Sequence, residues 1–251
     1  MTDPFHPRPR IRAALFDFDR TLVDLFTPTA FAKLADAVVS HYEHSVGRGP
    51  GDSPARKLVE QARADPVPRP YGLWADVHKA LAADDGDRAD ALSREVAAIL
   101  SEHECAAAAA KQAPPPLPGV EAALDWLERA GVALAVVSTN CQPAVRTALH
   151  RAGVLTRFDV VVARTPELDM TNLKPSPFPV ELALDRLPCA PGDAILVGDS
   201  VLDMQAGQAA KVYTVGVPSF LVTGAELAAA GAAAVLDSMT GLKGLLGEYV
   251  G

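Results

Sequence analysis

Apolar and polar positions follow two different rhythms along this chain of 251 residues. Ile11–Phe16 is a short apolar segment of the kind that a strand covered on both faces presents. From Pro118 onward similar segments alternate with helical patterns. The expected order is a helix near Val120–Arg129, a strand at Val132–Val137, a helix near Pro143–Arg151 and a strand around Phe158–Ala163. Next come a helix near Phe178–Leu187, a strand at Ala194–Val197, a helix near Leu202–Ala209, a strand at Val212–Val215 and a closing strand–helix pair within Ala233–Leu246. Strands separated by helices predict βαβ units and a parallel sheet. Right-handed crossovers then gather the carboxyl ends of the strands on one edge.

The stretch from about Asp24 to Ala113 has a different rhythm. Helix-type spacing recurs at Pro28–Val46, Pro54–Ala64, Tyr71–Ala83 and Arg88–Lys111, with little strand character. Pro114-Pro115-Pro116-Leu117-Pro118-Gly119 closes it as a stiff, extended linker that cannot continue a helix. The expected organisation is α/β: a parallel-sheet core from residues 1–24 and 114–251, interrupted by an all-helical insertion at 25–113.

Chemistry-bearing residues follow the apolar segments. Asp17-Phe18-Asp19-Arg20-Thr21 ends the first, and alternation along an extended chain lets Asp17 and Asp19 face one pocket while Phe18 turns into the core. Ser138 follows Val132–Val137, Lys174 stands in Leu173-Lys174-Pro175-Ser176-Pro177, and Gly198-Asp199-Ser200-Val201-Leu202-Asp203 follows Ala194–Val197. Carboxylates gathered in one small pocket repel one another by about 4 kcal/mol per close pair at an effective dielectric near 20, which a divalent cation relieves. Asp17, the main-chain carbonyl of Asp19 and Asp199 form an oxygen-only ligand set suited to Mg²⁺. Asp203, one helical turn beyond Asp199, is placed to support the metal or to pair with Lys174.

In this order the four motifs resemble those of the haloacid dehalogenase-like hydrolase superfamily: Asp-x-Asp-x-Thr, a Ser or Thr, a Lys, and Gly-Asp-x-x-x-Asp. The likeness runs from about Ile11 to Leu246 and is least specific between the first and second motifs. It implies a Rossmann-like core carrying a C1-type helical cap, and a phosphatase with some likeness to phosphoglycolate phosphatases. On this resemblance Asp17 is the nucleophile that becomes an aspartyl-phosphate, and Asp19 is the general acid and base. Ser138 and Lys174 hold phosphoryl oxygens, with Thr139 and Asn140 next in rank. Asp19 favours phosphoryl chemistry over dehalogenation. The rival readings are a phosphomutase of the β-phosphoglucomutase type and a catalytically weak binding or regulatory protein; Arg20, at a position commonly Gly in the superfamily, supports the latter.

Charge and cysteines narrow the partners. Lys and Arg number 23 against 31 Asp and Glu, a net charge of −8 that argues against a nucleic-acid surface. No apolar run reaches the roughly 18 residues of a membrane helix, and the N-terminus has no apolar signal core, so a cytoplasmic protein is expected. Cys105, Cys141 and Cys189 are expected as free thiols. The expected partner is a small phosphorylated metabolite, and the protein itself a monomer or homodimer. Arg48, Arg63, Arg69 and Arg94 are possible substrate contacts in the insertion. His41 with His44 reads as an exposed helix face, His103-Glu104-Cys105 as surface or cap packing, and Asp84–Asp87 as a solvated turn.

Overall fold

A computed structural model describes residues 10–46, 53–67, 69–166 and 172–250. The chain divides into two compact units, one formed by the segment up to Leu25 together with the chain from Ala108 onward, the other by Phe26–Ala107.

The first unit contains a six-stranded sheet in the order β3-β2-β1-β4-β5-β6. Its strands are β1 (Ala13–Phe16), β2 (Ala133–Cys141), β3 (Val160–Arg164), β4 (Ala194–Gly198), β5 (Tyr213–Gly216) and β6 (Ala234–Val235). Every pairing is parallel, with Leu15 aligned with Ala135 on one side and Leu196 on the other. β1 and β4 are buried along their whole length, which explains their near-continuous apolar sequence. The order reverses direction at β1, the topological switch where doubly wound sheets open a crevice beyond the strand carboxyl ends.

The connecting helices α5 (Val120–Arg129), α6 (Gln142–Arg151), α7 (Phe178–Arg186) and α8 (Val201–Ala209) lie within a residue or so of expectation. Leu15, Val137, Val162 and Leu196 pack with Val180 and Leu184 of α7 and Ala206 of α8. Phe16 points to the opposite face and meets Phe158 edge-on, with ring centroids 6.4 Å apart. Two segments differ from expectation. A six-residue helix, α9 (Gly224–Ala229), follows β5, closed by a reciprocal Thr223–Glu226 capping box. The final strand is only two residues long, and a 3₁₀ turn precedes the five-residue α10 (Leu242–Leu246).

The second unit holds four helices among the described residues: α1 (Pro28–Val46), α2 (Pro54–Ala64), α3 (Pro70–Ala82) and α4 (Gly86–Ala108), the last ending just beyond the unit boundary. Phe31, Leu34, Ala35, Val38, Val39 and Tyr42 form the buried stripe of α1 at three- and four-residue steps. Two polar pairs sit among the apolar side chains: Trp74 Nε1 donates to Ser93 Oγ at 2.9 Å in a buried bond, and the hydroxyl of the half-buried Tyr71 donates to Glu104 Oε1 at 2.8 Å. Glu104 is therefore core packing rather than surface. Asp85 accepts from the Arg88 amide at the start of α4, so the acidic run is a helix cap and turn. His41 contacts Glu95.

The linker after the second unit runs beside the turn that follows β1. Val23 bridges Pro116, and the Leu117 amide donates to Leu22 O at 2.9 Å.

Candidate active site

Asp17 is the first residue beyond β1, and its amide still donates to Val197 O at 2.8 Å, which ties it to β4. The chain then turns sharply. Leu22 N and Val23 N both donate to Phe18 O, and Arg20 N donates to Val23 O at 2.7 Å. Phe18 is fully buried, and Asp17 and Asp19 on either side of it are buried as well.

Three carboxylates converge here. Oxygens of Asp17, Asp199 and Asp203 lie within 4.8 Å of one another, and all three residues are buried. Lys174, from a loop 157 residues after Asp17, reaches between two of them: Nζ is 2.5 Å from Asp17 Oδ1 and from Asp203 Oδ1, and 2.9 Å from Val137 O. Asp203 is held in turn by α8. Its Oδ2 accepts from Ser200 N and Ser200 Oγ, while Ser200 Oγ accepts from Asp203 N, a capping box at the helix start. Gly198 must precede this arrangement, because a Cβ there would lie 2.5 Å from Asp203 Cγ.

Asp19 is placed differently. Its carboxylate turns away from the trio, Oδ1 accepting from Leu25 N at 2.8 Å. Among the described residues Oδ2 has no aligned hydrogen-bond donor, and it lies 3.0 Å from the Arg20 guanidinium. Arg20 also brings Nε to 3.3 Å from Asp199 Oδ2, and its guanidinium carbon sits 5.7 Å from the centre of the Phe220 ring. These contacts hold Arg20 at φ 63°, a left-handed conformation costing a non-glycine residue about 1–2 kcal/mol.

Burial governs the electrostatics. It raises Asp17 well above the usual carboxylate range against the pull of Lys174, and Asp203 and Asp199 push the same way. It raises Asp199 likewise against Arg20. Asp19 is pushed up to about 6 by burial, opposed by Arg20 and the Leu25 amide. Lys174 is held more firmly protonated than an ordinary lysine, because Asp17 and Asp203 outweigh its desolvation. A buried all-oxygen cluster whose carboxylates resist ionising fits a hard divalent cation such as Mg²⁺.

Ser138 and Thr139 lie inside β2, which continues past the expected end at Val137. The pairing with β3 slips between Val137 and Cys141, because Ser138–Asn140 form a local irregularity. Within it, Ser138 Oγ donates to Asn140 Oδ1 and accepts from Asn140 N, each at 3.1 Å. Ser138 is buried, Thr139 partly exposed. Arg164, buried at the end of β3, donates from Nε to Thr139 O at 3.0 Å.

The site thus joins Asp17, Asp199, Asp203 and Lys174 directly, sets Asp19 beside them through Arg20, and puts Ser138 and Thr139 just beyond Val137, whose carbonyl accepts from Lys174. Four further residues enter: Ser200 on Asp203, Ser219 as a hydrogen-bond partner of Asp199, Phe220 over Arg20, and Arg164. Ser200 was readable as half of a capping pattern; Ser219 and Phe220 follow the carboxyl end of β5, where site loops belong. Of the arginines in the insertion, Arg63 is committed to Asp36, Ser40 and Glu43 of α1, and Arg94 donates to Asp90 O within α4. Arg69 is the exposed residue preceding α3, and Arg48 lies outside the described residues. Cys105, Cys141 and Cys189 are not joined in disulfides. No helix of the described residues is long and apolar enough to cross a membrane.

Comparison with known proteins agrees with this architecture. The family model for haloacid dehalogenase-like hydrolases matches residues 84–217. The chain is similar to a pyrophosphatase PpaX of Bacillus velezensis, 41% identical over 103 residues covering 41% of this chain and 46% of the relative. It is similar to a phosphoglycolate phosphatase of Nitrosospira multiformis, 36% identical over 101 residues covering 40% of this chain and 43% of the relative. The chain spans about half the length of the curated relatives it matches. Among solved structures, CbbY of Rhodobacter sphaeroides in complex with xylulose-(1,5)bisphosphate shares the fold, with a TM-score of 0.59 and 24% identity over 92% of this chain and 95% of the other.

Proposed function

The chain belongs to the haloacid dehalogenase-like hydrolase family, and on that premise we propose that it is a Mg²⁺-dependent phosphatase acting on a small phosphate monoester in the cytoplasm. The observation that carries this reading is the meeting of Asp17, Lys174 and Asp203 at 2.5 Å, with Asp199 completing an oxygen cluster at the carboxyl ends of β1 and β4.

Asp17 attacks phosphorus. A bond forms from its carboxylate oxygen to phosphorus as the bond to the alcohol oxygen breaks, giving an aspartyl-phosphate. Asp19 delivers its proton to the departing alkoxide, then takes a proton from the water that attacks the aspartyl-phosphate, releasing inorganic phosphate and Asp17. A carboxyl titrating at about 6 populates both forms near neutrality, which suits a group that must give and then accept a proton. Lys174 orients Asp17 and offsets charge on the phosphoryl oxygens, joined by Ser138 Oγ and the backbone amides of the two loops, with Thr139 beside them. Bound Mg²⁺, held by Asp17, the Asp19 main-chain carbonyl and Asp199 with Asp203 behind, would neutralise the charge that otherwise separates Asp17 from an anionic substrate. The names of the relatives, a pyrophosphatase and a phosphoglycolate phosphatase, support a small phosphorylated substrate. The helical unit is read as the C1-type cap, a selector of substrate.

Phosphate release from an aryl phosphate and a panel of small phosphorylated metabolites tests the proposal, with Mg²⁺ or chelator, for wild type and Asp17→Asn. Metal-dependent release that the variant loses by at least ~10³-fold is expected, since the nucleophile itself is removed. Undiminished turnover in Asp17→Asn would defeat the mechanism.

A further inference from the structure

We propose that Arg20 is a built-in counter-cation that occupies Asp199 in the metal-free protein and must release it when a divalent ion binds, so that this chain binds its metal more weakly than its carboxylates alone would. The inference rests on the metal-dependent reading above.

Four buried carboxylates, Asp17, Asp19, Asp199 and Asp203, share the pocket with two cations. The cations divide the acids between them. Lys174 takes Asp17 and Asp203, at 2.5 Å each; Arg20 takes Asp19 and Asp199, at 3.0 and 3.3 Å. Only the second pairing spans the boundary between the metal cluster and the acid–base residue, because Asp199 belongs to the cluster and Asp19 does not. A divalent ion drawing on Asp199 therefore competes with the guanidinium for the same carboxylate. Lys174 is committed to Oδ1 of Asp17, Oδ1 of Asp203 and Val137 O, which leaves Asp199 as the carboxylate of the cluster that Arg20 holds.

The conformation of Arg20 fits this role. Its left-handed backbone, at φ 63°, is one that glycine adopts without cost, so the position holds a charged side chain against a local preference. What opposes that preference is the pair of carboxylates and the Phe220 ring at 5.7 Å, on the loop after β5. Phe220 is 60% exposed, so a displaced guanidinium keeps an aromatic face beside solvent to rest on.

The test is titration calorimetry of Mn²⁺ and Mg²⁺ into chelator-stripped full-length protein, comparing wild type with Arg20→Gly, Arg20→Gln and Asp199→Asn. Both Arg20 variants are expected to bind Mn²⁺ at least ~10-fold more tightly than wild type, the removal of one close charge from the competing site. Gly also relieves the backbone and Gln keeps the strain, so a gain common to both isolates the charge. Loss of the gain in Arg20→Gly combined with Asp199→Asn places the competition at Asp199. Equal or weaker binding by the Arg20 variants, with wild type binding normally, would overturn the role given to Arg20 and leave the metal reading intact. Absence of binding in every protein would overturn both.

Discussion

At Gly198 a single hydrogen atom decides whether the site can assemble. The next residues supply Asp199 to the carboxylate cluster and Asp203 to Lys174, and α8 can begin that close to β4 only because nothing projects from Cα of residue 198. Gly198→Ala forces its methyl against the Asp203 carboxyl, which has no slack: Oδ1 is on Lys174 and Oδ2 on Ser200. The carboxylate must shift by close to an ångström, and misplacements of that size cost roughly 10²-fold in rate. We expect kcat of Gly198→Ala to fall by about that factor while its circular dichroism stays native. Unchanged kcat would mean that Asp203 is not held where the chemistry needs it. The residue scale is also where the sequence was least informative about Arg20. Its identity marked a departure from the usual glycine, but its two carboxylate partners are one and 179 positions away, and nothing in a linear pattern says that one guanidinium will bridge them.

At the scale of elements, two capping boxes separate stability from chemistry. Ser200 and Thr223 each accept from the third helical amide and are bonded back by an acid, at the starts of α8 and α9. Truncating either to Ala is expected to cost about 1 kcal/mol, read as a drop in the urea midpoint. Only Ser200→Ala also removes the hydroxyl bond to Asp203 Oδ2, leaving it the Ser200 amide alone, so it alone should lower turnover, while Thr223→Ala keeps wild-type kcat. Equal loss of activity in both would assign the effect to helix stability. These helices mark the reach of pattern reasoning. The long α1 and α2 were legible to the residue, because a stripe repeated over several turns is redundant and their first residues are prolines. α9 was not: six residues give less than two turns of periodicity, and its alanine-rich sequence has little apolar contrast. β2 was expected to stop at Val137, since Ser138, Thr139 and Asn140 break the apolar run; the backbone continues through them to Cys141 with a register slip at its partner. Asp17, Lys174, Asp199 and Asp203 were legible as a set because a parallel sheet converts a position at a strand end into a position at one edge.

For the molecule as a whole, the same buried acids set a pH dependence that an ordinary acidic protein does not have. A carboxyl raised on folding binds protons more tightly in the native state than in the unfolded one, so it stabilises the fold below the ordinary value and loses that contribution as pH rises through the folded value. For Asp19 the window runs from 3.8 to about 6, and the upward displacement of Asp17 and Asp199 carries the loss further toward neutrality. Lys174 does not offset this, because its raised value moves its loss of charge above the ordinary lysine range near 10.5, outside the window. Glu43, lowered by its hydrogen bond to Arg63, acts with the opposite sign, but it is exposed and its pair is screened by solvent. Chelator-treated protein should therefore lose melting temperature between pH 5 and pH 8. Mg²⁺ should restore progressively more across the same interval, since the metal binds the ionised cluster and gains affinity as protons leave. Differential scanning fluorimetry at fixed ionic strength, with and without Mg²⁺, measures the separation of the two curves at each pH. A separation that widens from acid to neutral pH ties the cluster of Asp17, Asp199 and Asp203 to one ion, whereas parallel curves would mean that the cluster is held by Lys174 and Arg20 alone.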